Sequence, residues 1–296
     1  MKLLYIHNPN AGHGRADKQL PEVEAAFTKR GVDFHLCRTD YPEHAIALVR
    51  EMDLSSFDGV VAAGGDGTLF EVLNGYFQNP VDKKPPLGIL PVGTGNAAVR
   101  DMNLDRDHWE EAVDIIVAGK TRKVDAGRFT THGQTYYFMN ILGLGFVADV
   151  TATAKKLKVF GNTSYTLGVL YQTLRLPQHQ LTITIDGETL KRKNLFVEVS
   201  NTRYTSNFLM APQAEIDDGF LDITLANNLS RRRLLKVFPK VFTGEHVHEP
   251  EVEVFKAKSI KIETTPAKVL TPDGELLGIT PLEIDCLKQA VEVFWG

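Results

Sequence analysis

Val60-Val61-Ala62-Ala63-Gly64-Gly65-Asp66-Gly67-Thr68 runs from an apolar segment into a glycine-rich turn, and the helical stretch Leu69–Phe77 follows. Strand, tight turn and helix in that order make one unit of an α/β sheet. The unit recurs around it. Upstream, Leu3–His7 reads as a strand, Asn8–Gly14 as a loop and Ala16–Arg30 as a helix, with apolar residues at helical spacing and Gly31 as its stop. Phe34–Cys37 and His44–Met52 repeat the pair. Downstream, Leu87–Leu90 and the segment from Asn96 repeat it again. Such alternation predicts a parallel sheet covered by helices, with ligands at the carboxyl ends of its strands.

Beyond Gly127 the texture changes. Thr135–Leu142, Leu181–Asp186, Asn194–Ser200, Phe220–Ala226, Ser259–Thr264, Ala267–Leu270, Leu282–Cys286 and Ala290–Phe294 are short β-like runs. Asp186-Gly187, Asp218-Gly219 and Asp273-Gly274 punctuate them, which favours antiparallel pairing. Helical stretches around Phe146–Leu176 and Arg231–Phe242 interrupt the series. The expected architecture is α/β plus β: a parallel-sheet α/β domain over residues 1–127 and a β-rich domain over 128–296. The last few residues are free to return to the first domain.

Composition narrows the function classes. The 296 residues are 43% hydrophobic and 24% charged, a globular balance that excludes a largely disordered chain. Net charge is −4, divided as −5 over residues 1–127 and +1 over the remainder. Neither part has the basic excess of a nucleic-acid binder, so no nucleic acid is expected as partner. Cys37 and Cys286 are too few for a disulfide framework or a cysteine-based zinc site. The apolar start Leu3–Ile6 runs into His7-Asn8-Pro9, unlike a signal-peptide core, and no apolar run reaches the roughly 18 residues of a membrane span. A soluble cytoplasmic protein is expected.

Three turns carry candidate chemistry. The glycines at Gly64, Gly65 and Gly67 allow close backbone approach, and the following helix favours an anion at its start. Asp66 repels a bare phosphate, so its carboxylate suggests a Mg²⁺ between the two. A tight turn with a capping aspartate is the plainer alternative. Leu90-Pro91-Val92-Gly93-Thr94-Gly95-Asn96-Ala97-Ala98 is a second turn after a strand. Its Gly93-x-Gly95-x-x-Ala98 matches a dinucleotide fingerprint only formally, as does Gly143-x-Gly145-x-x-Ala148, and there is no P-loop signature. Asn8-Pro9-Asn10-Ala11-Gly12 is the third. Each alone is a turn; three on one sheet edge form a phosphate-friendly set.

Elsewhere Thr271-Pro272-Asp273-Gly274-Glu275 places two carboxylates around a glycine, and Asp217-Asp218-Gly219 does something similar. His246 and His248 lack an evident third ligand besides Glu245 or Glu249, and read as a polar loop. No nucleophile elbow is present. Lys155, Lys156 and Lys158 flank an apolar helical stretch, and Arg231-Arg232-Arg233 precedes another. Such faces are commonly just solvated, but basic amphipathic faces also rest on anionic lipid.

In this order, the Asn-Pro loop, Gly64–Thr68, Gly93–Asn96, Asp125, Ala211-Pro212 with Asp217-Asp218-Gly219, and Asp273-Gly274-Glu275 resemble the diacylglycerol kinase catalytic domain family. Soluble bacterial lipid kinases are the nearest in kind, with sphingosine and ceramide kinases as relatives. The resemblance implies ATP in a cleft between the α/β domain and a C-terminal antiparallel β-sandwich. ATP would be held by Asn8, Pro9, Asn10, Ala11, Gly12, Thr39, Gly64, Gly65, Asp66, Gly67, Thr68, Leu69, Phe70, Thr94 and Asn96. It implies a catalytic Mg²⁺ at Asp66, Asp125 near the acceptor headgroup, and Glu275 as general base. Asp273 is the other candidate base, and Glu275 is preferred for its longer reach. A structural Mg²⁺ is implied on the Asp218 carboxylate and the carbonyls of Glu215 and Phe220.

Two departures bear on the acceptor. Ala97 stands after Asn96 where many bacterial relatives have aspartate, as in some sphingoid-base kinases, and Tyr204-Thr205-Ser206-Asn207 is poorer in glycine than is common. The expected function is phosphoryl transfer from ATP to a hydroxyl of diacylglycerol or a similar lipid at the inner face of the membrane. The protein would be peripheral there, with Lys155, Lys156 and Lys158 as contacts. Alternatives are a sphingoid-base or ceramide kinase, an NAD kinase, and a non-catalytic nucleotide-binding regulator. A homodimer is left open.

Overall fold

Strands β1 (Lys2–His7), β2 (Asp33–Arg38), β3 (Gly59–Gly64) and β4 (Leu87–Pro91) pair in parallel in the order β2-β1-β3-β4. In this computed structural model, residues 1–156, 171–176 and 178–296 are described, those at 154–156 without side chains. Every residue of β3 is buried, as an inner strand covered on both faces demands. Over one face, Ala16, Leu20, Val23 and Phe27 of α1 (Ala11–Lys29) and Ala112, Val113 and Ile116 of α4 (Trp109–Ala118) share a core with Leu3, Tyr5, Val61 and Leu90. The other helices are α2 (His44–Glu51) and α3 (Asp66–Gln78), which touch closely. Gly75 permits that approach, since a Cβ there would lie 2.6 Å from the Ile46 carbonyl oxygen.

The chain forms two compact units, Met1–Ala126 with Gln289–Gly296, and Gly127–Lys288. It passes between them along β5 (Thr121–Thr131) and back along β16 (Leu282–Phe294). Within the first unit, Val293 pairs in parallel with Leu87, and the Phe294 ring fills the space where a Gly59 Cβ would come within 2.6 Å.

The second unit is antiparallel. β5 pairs with β6 (Gln134–Phe138), and β7 (Ile141–Gly145) leads into α5 (Phe146–Lys156). Its spine is β9 (Glu188–Ser200). Residues 188–194 pair with β8 (His179–Ile185), residues 196–200 with β7, and 194–200 along the opposite edge with β12 (Leu221–Asn227). β9 accordingly alternates in burial at first and is buried throughout from Asn194. A small hairpin, β10 (Tyr204–Thr205) and β11 (Phe208–Leu209), stands apart. β13 (Val252–Ala257) continues from β12, and β14 (Ser259–Thr265) joins β8 to the first half of β16, while β15 (Leu270–Pro272) pairs with β7. The helix α6 (Arg231–Val237) is capped by the Ser230 hydroxyl, which accepts from the Arg233 amide.

Several expectations are corrected. From Asn96 the chain makes only a 3-10 turn, Ala97–Met102, and the helix of that unit is α4. Thr135–Leu142 is two strands, split at Met139-Asn140 because those amides turn to Asp273. Leu282–Cys286 and Ala290–Phe294 are one strand, with Gln289 in the left-handed region between them (φ 49°). The expected Ala267–Leu270 strand is instead β15, three residues on, and β13 was not foreseen. The stretch Phe146–Leu176 is helical through Lys156, and residues 157–170, Lys158 among them, lie outside the described residues.

The β5–β6 hairpin yields a test of packing. Gly127 pairs with Phe138, whose wholly buried ring lies against it, so an added Cβ would meet ring carbons at 2.1 Å. Forcing a methyl group into a filled core costs about 1–3 kcal/mol. Gly127→Ala should therefore lower the urea midpoint of the second unit, although alanine is the better residue in a free strand. An unchanged midpoint would mean that the Phe138 ring gives way freely.

Candidate active site

The three turns of the first unit are fastened to one another. Gly93 N–H donates to the Gly64 carbonyl (2.9 Å), and a Cβ on Gly93 would come within 2.3 Å of the Gly65 Cα. The two glycine turns thus pack backbone on backbone, which only glycine permits at Gly93. Asp66 opens α3 and clamps the same pair: its Oδ1 accepts the amides of Ala97 (2.7 Å) and Ala98 (3.4 Å). The first turn joins through Asn8, whose Nδ2 donates to Thr68 Oγ1 (2.9 Å) and whose amide donates to the Ala63 carbonyl. Residues 12–14 all take left-handed φ angles, and a Cβ on Gly12 would come within 2.8 Å of the Val92 carbonyl oxygen. The buried Thr39 amide donates to the His7 carbonyl, at the end of β1.

Sequence reasoning missed Arg15. Its guanidinium donates to the carbonyls of Val92 (3.1 Å) and Gly93 (2.7 Å), tying α1 to the second glycine turn. Nothing in the local pattern distinguished it from a surface arginine. Leu69 and Phe70, expected near ATP, are buried core side chains of α3, so only their backbone belongs to this edge.

Burial pushes the Asp66 carboxyl up to about 6, against the pull of the Ala97 and Ala98 amides and the Arg100 charge. The ion is thus under-stabilised by the protein alone. Its second oxygen faces Gly95, where a Cβ would intrude to 2.7 Å, and the buried Asn96 Oδ1 has no hydrogen-bond donor. The Asp66 carboxylate and the unsatisfied Asn96 amide oxygen are hard donors of the kind that suit a Mg²⁺ retaining several waters.

The carboxylates of the second motif set are sorted by burial. Asp273 is nearly inaccessible and left-handed (φ 45°), and it accepts the amides of Met139, Asn140 and Ile141. It holds the β6–β7 turn. Glu275, two residues on, is exposed. Asp125 is wholly buried, with Oδ1 accepting the Gln289 amide (2.6 Å), so none of its side chain is accessible to a headgroup in this structure.

Asp218 is also spoken for. Oδ1 accepts the Phe220 amide (2.9 Å), and Oδ2 accepts Lys256 Nζ (2.7 Å), which lies 3.7 Å from Asp222 as well. Lys256 already supplies a positive charge at the carboxylate expected to hold a structural Mg²⁺. As arranged, Asp218 with the carbonyls of Glu215 and Phe220 does not fit a second cation.

The second unit contains an apolar cavity of ≈ 60 Å³ lined by Phe196, Met210, Leu229, Leu234, Val237 and Phe238. Glu198 is on its wall, almost wholly buried; Thr205 donates to Oε1, while Oε2 has no hydrogen-bond partner. Desolvation pushes its carboxyl up to about 7.

Residues 2–129 match the diacylglycerol kinase catalytic domain model, and residues 140–295 match the YegS C-terminal NAD kinase beta sandwich-like domain. The diacylglycerol kinase of Bacillus subtilis is 30% identical over 97% of this chain and 94% of its own length. That of Mycobacterium tuberculosis is 31% identical over 99% of this chain and 94% of its own. A crystal structure of a diacylglycerol kinase from Bacillus anthracis is 28% identical and superposes with a TM-score of 0.79, covering 100% of this chain and 97% of the other. Fold, ordered motifs and full-length similarity agree: the chain belongs to the diacylglycerol kinase family of lipid kinases.

Proposed function

We propose that the protein transfers the γ-phosphoryl group of ATP to a hydroxyl of diacylglycerol or a similar lipid. The observation that carries the nucleotide half is the clamp at Asp66, which ties two glycine turns to the start of α3. The family similarity and the apolar cavity support a lipid acceptor over the soluble acceptor of an NAD kinase.

Phosphoryl transfer needs positioning and charge neutralisation more than covalent help from the protein. The backbone of Gly65–Gly67 and Thr94-Gly95, the accessible part of the two turns, binds the phosphate chain, and α3 adds the positive end of its dipole. Mg²⁺, when bound at Asp66, neutralises charge on the phosphate oxygens. The lipid hydroxyl oxygen attacks the γ-phosphorus as its bond to the β-phosphate bridging oxygen breaks. ADP leaves, and the hydroxyl proton passes to the base. Glu275 is assigned that proton because its carboxylate is exposed, whereas Asp273 is committed to three amides. Cavity residues such as Leu234 and Phe238 offer an apolar surface to a hydrocarbon chain.

γ-Phosphate transfer from ATP should be measured against diacylglycerols, sphingoid bases, ceramides and NAD, with Asp66→Asn and Glu275→Gln beside the wild type. Lipid phosphorylation is expected, with Glu275→Gln lowering kcat by about 10²–10⁴ at nearly unchanged ATP affinity. Asp66→Asn should be inactive. Asp273→Asn should instead melt earlier, since it weakens a buried acceptor. Transfer to NAD alone would refute the lipid assignment.

Glu198 gives a pH test. The folded protein holds this proton more tightly than the unfolded chain, where the carboxyl titrates at its usual 4.5. Stability contributed by the site is therefore greatest below 4.5, declines as pH rises through about 7, and stays low above it. Glu198→Gln should melt several degrees above wild type at pH 8.5, and the gap should close as pH falls toward 4.5. A gap independent of pH would contradict the buried, proton-retaining carboxyl.

A further inference from the structure

The three consecutive arginines at the start of α6 do different work. Arg233 turns toward the protein, with Nε donating to Glu251 Oε1 (2.7 Å) and Nη2 to Glu251 Oε2 (2.9 Å), and it pairs with Glu249 too. Lys240 also pairs with Glu249 (2.6 Å). Those acids are thereby consumed. Arg231 donates Nε to the Leu174 carbonyl (2.8 Å), an uncharged partner, and no carboxylate pairs with Arg231, Arg232 or Lys236 among the described residues. All three are exposed.

Large apolar side chains lie among these cations. Leu174 is 71% exposed, Leu235 51% and Phe242 50%. Leu174 belongs to the carbonyl that Arg231 holds, and Phe242 packs edge-on against Phe238 (5.9 Å). Leu234, Val237, Phe238 and Val241, from the same segment, turn inward to line the apolar cavity. One short segment thus shows hydrocarbon on both sides, to the cavity within and to solvent without, and carries three unneutralised positive charges on its outer side.

We propose that Arg231, Arg232, Lys236, Leu174, Leu235 and Phe242 form a docking surface for anionic lipid bilayers. Exposed leucine and phenylalanine are poorly solvated in water and well solvated at the acyl boundary, and the cations complement lipid phosphates. A bilayer is preferred to an acidic protein because exposed Leu174, Leu235 and Phe242 are interspersed with the cations, which suits the mixed phosphate and acyl boundary of a membrane. The inference goes beyond the kinase reading and does not depend on it.

Sedimentation of the full chain with phosphatidylcholine vesicles, with and without 30% phosphatidylglycerol, tests this surface. Wild type should partition onto the anionic vesicles, more weakly as salt is raised. Arg231→Gln/Arg232→Gln/Lys236→Gln should weaken that partition roughly 100-fold at low salt and flatten its salt dependence. Leu235→Ser/Phe242→Ser should weaken partition while leaving the salt dependence in place. Circular dichroism and transfer to a short-chain diacylglycerol in detergent should be unchanged in both, which separates loss of docking from loss of folding or chemistry. Vesicle binding unaltered by either set overturns the proposal. So does a wild-type dimer that the same substitutions dissociate, since the face would then be covered by a second copy. Vesicle binding without phosphorylation of any lipid would sink the kinase assignment and leave the surface standing.

Discussion

Everything at the nucleotide edge depends on one contact without side chains: the backbone of Gly93 lying against that of Gly65. At that separation a Cβ has no room. The contact brings the ends of β3 and β4 together closely enough for Asp66 to reach across and accept two amides of the next turn. Desolvation works against its charge, and the two amides and the nearby Arg100 charge only partly offset that cost. Neutralising that charge, by a proton or by a cation, would relieve the strain.

Acids in this chain that look alike in sequence are separated by what surrounds them. Asp273, Asp125 and Asp66 each accept backbone amides, fixing a hairpin, the return of β16 and the turn after Gly93. Asp218 is held by an amide and by Lys256. Glu275 projects into solvent. A buried carboxylate with several amide donors organises backbone, while an exposed one is accessible to exchange a proton with solvent.

The fold class was legible because its signals are local. Four apolar residues before Gly64, then a glycine turn and a helix, can hardly be anything but an α/β unit, and Asp-Gly pairs marked the hairpin at Asp186-Gly187. Legibility failed where partners are distant. β13 has the polar alternation of an edge and no strong turn to announce it, while the kink at Gln289 made one strand look like two. The three phosphate turns could be assembled from strand order alone, since each follows a strand of one parallel sheet. Arg15, Glu198 and Lys256 could not, because each takes its meaning from groups 77, 7 and 38 residues away that no local pattern connects.

The return of β16 has a consequence for how the chain is made. The first unit is unfinished without residues 289–296: Val293 borders β4, and the Phe294 ring closes the gap above Gly59. Those residues leave the ribosome after the whole of the second unit. The nucleotide unit therefore cannot mature on emerging first, as the leading domain of a multidomain chain ordinarily does. Until residues 289–296 have emerged, the apolar surface around Leu3, Gly59 and Leu87 lacks its cover. The second half of β16 then acts as a latch, making the competence of the first-made unit conditional on the arrival of residues made after the second unit.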